Sequence, residues 1–289
     1  DLLGELWSNR PEMSKKPAFL LPLNYAGESV ESKLTRIRKV MKEHKATMQI
    51  LASLDDIDWM LNIRGDDVEY SPLLLSYAIV KMDEVELYVD AEKLDEELKK
   101  HLQDNHVKVY AYDSIYQRVK EISENETVMV DPRQVNYALF NNIPKEVKVV
   151  KEENPIILMK AVKNDIEVEN IRNAHIKDGV AHTKYMYWLK KHVGKEKITE
   201  ISASDKLAAF RAEQEGYLWP SFGPISAYKE HGAIVHYSAT EETDVELRPE
   251  GLLLSDTGGN YWEGSTDITR TIALGEVSAE EKRHFTTVA

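Results

Sequence analysis

Between residues 24 and 150 the chain alternates between two hydrophobic periods, and this alternation limits the possible folds more than any other feature. SVESKLTRIRKVMKEH sets Val30, Leu34, Ile37 and Met41 at helical spacing with charges between them. ATMQILAS follows as a short apolar run of strand type. DEVELYVD then alternates Val85, Leu87 and Val89 with polar neighbours, the period-two pattern of a half-exposed strand. AEKLDEELKKHL, HVKVYAYD, SIYQRVKEI, ETVMVD and EVKVVK continue as helix, strand, helix, strand and strand. Alternating units of this kind predict an α/β layer domain, with helices packed on a sheet.

The pattern changes near residue 153, where Pro155 punctuates KEENPIILMKAVKND. A long helix is expected over about 163–192. It is acidic at its start (Asp165, Glu167, Glu169) and basic at its end (Lys190, Lys191, His192), as the helix dipole favours. Gly179 inside it costs about 1 kcal/mol relative to alanine, so close packing is the expected reason for a glycine there. SASDKLAAFRAEQEG reads as a second helix closed by Gly216. GAIVHYSA, GLLLSDTG and STDITRTIALG read as strands, and Ser278 with Glu281 has the spacing of a capping box opening a last helix. The expected organisation is a linker or remnant of a preceding domain at 1–22, an α/β domain at 23–152 and a second domain at 153–289, of class α/β (α+β) overall.

Composition removes several function classes. A formal charge of −13 argues against nucleic acid as a partner, because phosphate binding needs clustered Lys and Arg. KKHVGKEK at 190–197, the densest basic stretch, reads as a solvated helix end. The absence of cysteine excludes disulfides, thiolate metal sites and cysteine nucleophiles, and fits a reducing compartment. No apolar run reaches the length of a membrane-spanning helix. The first residues, DLLGELWSNRPEMSKKP, lack both the layout of a signal segment and an initiator Met, as a processed or partial N-terminus would.

Two acids stand out against this background. LLLSDTGGNYWEGSTDITRTIALG, residues 252–275, sets Asp256 and Asp267 eleven positions apart, each at the edge of a β-prone run. A carboxylate in apolar surroundings is costly unless it is paired, hydrogen-bonded or bound to metal. Gly258, Gly259 and Asn260 are turn formers, so a hairpin through this segment brings both carboxylates to one side of a sheet. Two like charges there repel unless a cation lies between them, and hard divalent ions take oxygen ligands. His236, within GAIVHY, is expected on another strand of the same sheet. Strand-end aspartates also cap turns, and a histidine in an apolar run also serves as a hydrogen-bonded core residue. Spacing alone leaves both readings open.

The residues themselves carry more. LLLSDTGGNYWEGSTDITRT resembles the metal-binding hairpin of the M24 metallopeptidases, the pita-bread family. SFGPISAYKEHGAIVHYSA resembles the stretch before that hairpin in the Xaa-Pro aminopeptidases. LASLDDIDWMLNIRGDDVEYSPLLLSYAIV, with YAGESVESKLTRIRKVMKEH upstream, resembles the middle domain of the long, cytosolic-type aminopeptidase P group. Trp7, Arg10 and Pro11 in ELWSNRPEM resemble the close of the domain that precedes it there. Nearly all of residues 20–289 is covered.

The resemblance implies a creatinase/prolidase N-terminal-like α/β domain followed by the first half of a pita-bread catalytic domain. It implies a metal-dependent aminopeptidase that releases the residue before proline from peptides with N-terminal Xaa-Pro. Such an enzyme is cytoplasmic, a homodimer, and acts on neither nucleic acid nor membrane. Two divalent ions, Mn2+ with Zn2+ or Co2+ as alternatives, are held by two Asp, one His and two Glu, and a metal-bridging hydroxide attacks the carbonyl before proline. Asp256 matches the aspartate that chelates one ion, and Asp267 the one that bridges both. His236 matches a histidine that hydrogen-bonds the reacting peptide and stabilises the tetrahedral intermediate. Thr269 matches a threonine that orients a carboxylate ligand. Trp59 and Arg64 in the middle-domain block read as structural, and His231 stands where many relatives carry Asn.

The rival readings are a pita-bread binding module that has lost catalysis, or a sister hydrolase such as prolidase or creatinase. Asp256, Asp267 and His236 together favour an enzyme, and the LDDIDWMLNIRG block favours aminopeptidase P. In the family the other His and both Glu lie well downstream. Only 22 residues follow Asp267, and Glu276, Glu280, Glu281 and His284 among them match no motif. The chain is therefore expected to be a fragment lacking three ligands. As half a pita-bread it would leave apolar sheet and a strand edge uncovered, a solubility hazard. Incubated with manganese and an Xaa-Pro peptide, the purified 289-residue chain is expected to release no N-terminal residue by chromatography; a manganese-dependent rate refutes this.

Overall fold

The computed structural model describes residue 4 and residues 6–289; residues 1–3 and residue 5, part of the expected 1–22 segment and of ELWSNRPEM, lie outside the described residues. The chain divides into two compact units, Asp1–Asn164 and Asp165–Ala289. The division falls after the break in pattern near residue 153 because the helix that follows the break belongs to the first unit. Its Ile156 is buried in that unit's core, and its Lys160 pairs with Asp56 at 2.7 Å.

The first unit opens with β1 (Phe19–Leu20), α1 (Leu23–Ala26), α2 (Val30–Glu43), β2 (Met48–Leu51), α3 (Leu54–Leu61) and β3 (Ile63–Arg64). β4 (Tyr77–Lys81), β5 (Val85–Tyr88), α4 (Glu96–Asp104), β6 (Val107–Tyr110) and α5 (Ile115–Lys120) follow. β7 (Thr127–Val130), α6 (Tyr137–Asn141), β8 (Lys148–Lys151) and α7 (Ile156–Ala161) complete it. Six strands make one mixed sheet in the order β6-β5-β4-β2-β7-β8. β4 runs antiparallel to both its neighbours; the other pairs are parallel.

Helices cover both faces of this sheet. Leu34, Ile37 and Met41 of α2 and Leu98 and Leu102 of α4 share one core with Val85 and Leu87. Ile115 and Val119 of α5 and Leu139 of α6 share the other with Ile50, Ile79 and Tyr88. The strand expected to be half exposed at DEVELYVD is consequently buried along its length. Glu86 tolerates this because Lys81, Arg118 and the Tyr88 hydroxyl all reach its carboxylate. Trp59 lies in α3, where Lys33 donates to its carbonyl at 2.8 Å and sits 4.2 Å above its ring.

The second unit comprises α8 (Asp165–His192), α9 (Glu200–Ala212), β9 (Tyr217–Pro220), β10 (Ile225–Tyr228), β11 (Leu252–Thr257), β12 (Gly259–Tyr261), β13 (Gly264–Ser265), β14 (Ile268–Ala273) and α10 (Ala279–Val288). Two three-stranded sheets form, β10-β11-β14 and β13-β12-β9. Tyr185 and Leu189 of α8 and Ala203 and Leu207 of α9 pack with Tyr228, Leu253 and Ile272 of the first of these sheets. The Ser278–Glu281 capping box opens α10.

Two expectations fail here. GAIVHYSA is not a strand: residues 229–233 form a 3-10 helix, and His236 sits in the following turn at φ +56°. Gly179 is not closely packed, since a Cβ built there meets no atom within 4 Å. With space free and the backbone helical, Gly179→Ala is expected to stabilise the chain by up to about 1 kcal/mol, raising Tm by a few degrees in calorimetry.

Candidate metal centre

The site begins with the pairing of β11 and β14. These strands are antiparallel, with Asp256 opposite Thr269 and Thr257 opposite Ile268. Side chains alternate between the faces of a strand. Leu253 and Thr257 turn inward and are buried, while Leu252, Leu254 and Asp256 face outward. On β14 the outward set includes Thr269, Thr271 and Ala273. α10 approaches one end of this outer face, where Phe285 and Val277 line a groove with Leu252, Thr271 and Ala273. Asp256 lies toward the other end.

Asp267 stands one residue ahead of β14 and two ahead of Thr269. It is therefore the diagonal neighbour of Asp256 on the outer face, a placement for which Cα separations run to about 7–8 Å. Asp256 is half-buried and Asp267 exposed. The Thr269 hydroxyl donates to Asp256 Oδ1 at 2.6 Å, which fixes that carboxylate. Asp267 makes no hydrogen bond or ion pair among the described residues. Two carboxylates on one face, one of them tethered and both with open oxygens, fit hard divalent ions. Two carboxylates alone do not complete a ligand set, and no group of three or more His, Cys, Asp or Glu side chains is placed to hold an ion among the described residues.

His236 does not join these acids on the sheet. It is exposed, in a loop that a buried acid holds in shape. Glu200, in the first turn of α9, is fully buried and accepts the Tyr228 N–H at 2.6 Å. His231 Nδ1 lies 2.9 Å from it, and the Tyr237 hydroxyl donates at 2.8 Å. The His231 ring also stacks on Tyr237, with centroids 4.6 Å apart. Three attachments to one carboxylate bend the segment around Glu200, where an extended strand would carry Tyr237 away.

Residues 9–167 match the family described as creatinase/prolidase N-terminal domain, and residues 169–289 match metallopeptidase family M24. The chain belongs to the creatinase/prolidase N-terminal domain family, with an M24 unit following that domain. This creatinase/prolidase–M24 chain is 36% identical over 300 residues to a protein named "Probable Xaa-Pro aminopeptidase P" from Sordaria macrospora, covering 100% of this chain and 49% of that one. It is 33% identical to aminopeptidase P1 of Arabidopsis thaliana, covering 52% of it. The chain thus spans about half the length of the curated relatives it matches. An X-prolyl aminopeptidase from Caenorhabditis elegans, described as a cytosolic enzyme with a di-nuclear active site, matches with a TM-score of 0.92 at 31% identity. That match covers 97% of this chain and 47% of the other. The Xaa-Pro dipeptidase of Bacillus anthracis shares the fold at 19% identity, with a TM-score of 0.70 over 90% of this chain and 69% of that one. The α/β class, the creatinase-type domain and the pita-bread unit expected from the resemblance are the fold found.

Sequence reasoning missed Glu200 and the buried polar groups on α8 and α9. His182 is one of them, 2% exposed on α8. Burial, with Arg211 and Arg270 nearby, lowers its pKa to about 4, and Asp178 only partly opposes this. A group whose pKa is lower folded than unfolded adds stability above its unfolded value, about 6.5, and that stability is lost as pH falls through the folded value. Urea midpoints of the parent are expected to fall between pH 7 and pH 4, and His182→Gln is expected to reduce that fall.

Proposed function

We propose that Asp256 and Asp267 are two ligands of a two-ion centre in a metal-dependent aminopeptidase that cleaves the bond before proline in peptides beginning Xaa-Pro. The observation that carries this reading is the ladder register, which sets Thr269 on Asp256 and leaves Asp267 diagonal to it with an unengaged carboxylate. The names of the relatives and the di-nuclear site of the Caenorhabditis elegans enzyme support it. Manganese is the ion proposed, and the cytosol the location.

Each residue then has a distinct task. Thr269 donates to Asp256 Oδ1 and orients the carboxylate, so that Asp256 offers its other oxygen to an ion. Asp267 keeps both oxygens free, as a bridging ligand requires. Bound divalent ions supply a water of lowered pKa as nucleophile. His236 projects from the loop tied to Glu200 and acts as hydrogen-bond donor to the substrate peptide.

Two measurements test this. In an electron paramagnetic resonance titration, the chain is expected to bind Mn2+ weakly, and Asp256→Asn or Asp267→Asn to remove that binding. Fused to the C-terminal half of the Sordaria macrospora relative, the chain is expected to hydrolyse an Xaa-Pro peptide, with Asp267→Asn lowering kcat/KM about a hundredfold or more. A fully active Asp267→Asn fusion overturns the assignment.

A further inference from the structure

Behind the ladder an ion pair lies out of water. Asp178 of α8 is fully buried and Arg211 of α9 is 3% exposed. Arg211 donates to Asp178 Oδ1 from Nε at 2.5 Å and to Oδ2 from Nη2 at 3.2 Å, the two-pronged geometry of guanidinium on carboxylate. Desolvating such a pair costs several kcal/mol per ion, so it is weak evidence for a role in stability alone. Its other hydrogen bonds indicate where it acts. Arg211 Nη2 donates to Thr257 Oγ1 at 3.0 Å. Thr266 Oγ1 donates to Asp178 Oδ2, and the Tyr261 hydroxyl lies 3.4 Å from Oδ1.

The two threonines flank the two acids. Thr257 follows Asp256 and Thr266 precedes Asp267. Each threonine is 2% exposed and reaches inward, so alternation turns each aspartate outward. Thr266 is held further: its Oγ1 accepts the Gly259 N–H at 2.9 Å, and its carbonyl accepts the Ser221 hydroxyl at 2.7 Å. A Cβ on Gly258 would fall 2.0 Å from that carbonyl oxygen, so the two arms of the ribbon close without room to slide. Consecutive Cα atoms are about 3.8 Å apart, so a shift of either threonine passes directly to its aspartate.

We propose that Asp178 and Arg211 are positioning residues which, through Thr257 and Thr266, set the separation of Asp256 and Asp267 and hence the bite offered to divalent ions. This rests on the metal-centre reading above. Thr257→Val and Thr266→Val each remove one arm of the clasp at constant volume and leave the ion pair in place; Thr266→Ser restores the hydroxyl. Two readouts separate the possibilities. Without metal, amide hydrogen exchange over residues 266–270 is expected to quicken about tenfold in Thr266→Val, with exchange in α8 unchanged. With Mn2+ and the two-half fusion described above, affinity by electron paramagnetic resonance, measured well below the Tm of each variant, is expected to fall about tenfold in either valine variant and to recover in Thr266→Ser.

Unchanged exchange overturns the clasp whatever the metal does. Faster exchange with unaltered Mn2+ affinity, or lost affinity that Thr266→Ser does not restore, overturns the positioning role. If the two-half fusion binds no Mn2+ while exchange responds as stated, the metal-centre reading fails and the positioning role fails with it, leaving a clasp that only holds the ribbon.

Discussion

The antiparallel ladder between β11 and β14 decides which side chains of the second unit can meet. A strand has two faces, and burying one commits the other. Leu253, Thr257 and Ile272 go inward because α8 and α9 supply an apolar surface there. Asp256 and Thr269 must then face out, opposite each other. A slip of one residue would put Asp256 into the core and Leu253 into water. The hydrophobic pattern that builds the core thus also aims the acids, and no separate device is needed to expose them.

Charge is handled differently inside and outside. On the outer face Asp256 and Asp267 remain in contact with solvent, where screening makes two carboxylates tolerable. Inside, every buried acid of the second unit is answered by protein groups. Asp178 has Arg211 and Thr266, and Glu200 has Tyr228, His231 and Tyr237. These buried acids hold the segment between β11 and β14 and the loop bearing His236.

This explains what the sequence revealed and what it hid. The helix at 163–192 and the strand pattern of GLLLSDTG follow from local period and capping, and the structure has them at Asp165–His192 and Leu252–Thr257. The hairpin motif marks Asp256, Asp267 and Thr269 as candidates, and the Thr269 hydroxyl bonds Asp256. GAIVHY misled because its apolar run satisfies a strand rule, while a distant carboxylate, Glu200, decides its path. Period two predicts a half-exposed β5 because it reports polarity, whereas Glu86 is polar but buried among Lys81, Arg118 and Tyr88. A signal for the hidden pair did exist. Asp178 falls on the stripe Ala174, Ala181, Tyr185 and Leu189 of α8, and Arg211 on the stripe Ala203 and Leu207 of α9. A charge at a core position of each of two successive helices calls for a partner, and each is the other's.

The source of the ribbon's shape bears on how it would meet a metal. In small zinc domains the ion is the core, and the ligands reach their places only when it binds. Here the turn from Thr257 to Thr266 is fixed by hydrogen bonds to Asp178, Arg211, Ser221 and Gly259, all from protein. If the acids hold ions as proposed, binding energy would not be spent on ordering the chain, because their spacing would be set before any ion arrives. A preset spacing discriminates between ions by radius and coordination number instead of adapting to each. Under that proposal a change at Thr266, whose own side chain is buried on the inner face, would reach the centre through the peptide bond to Asp267.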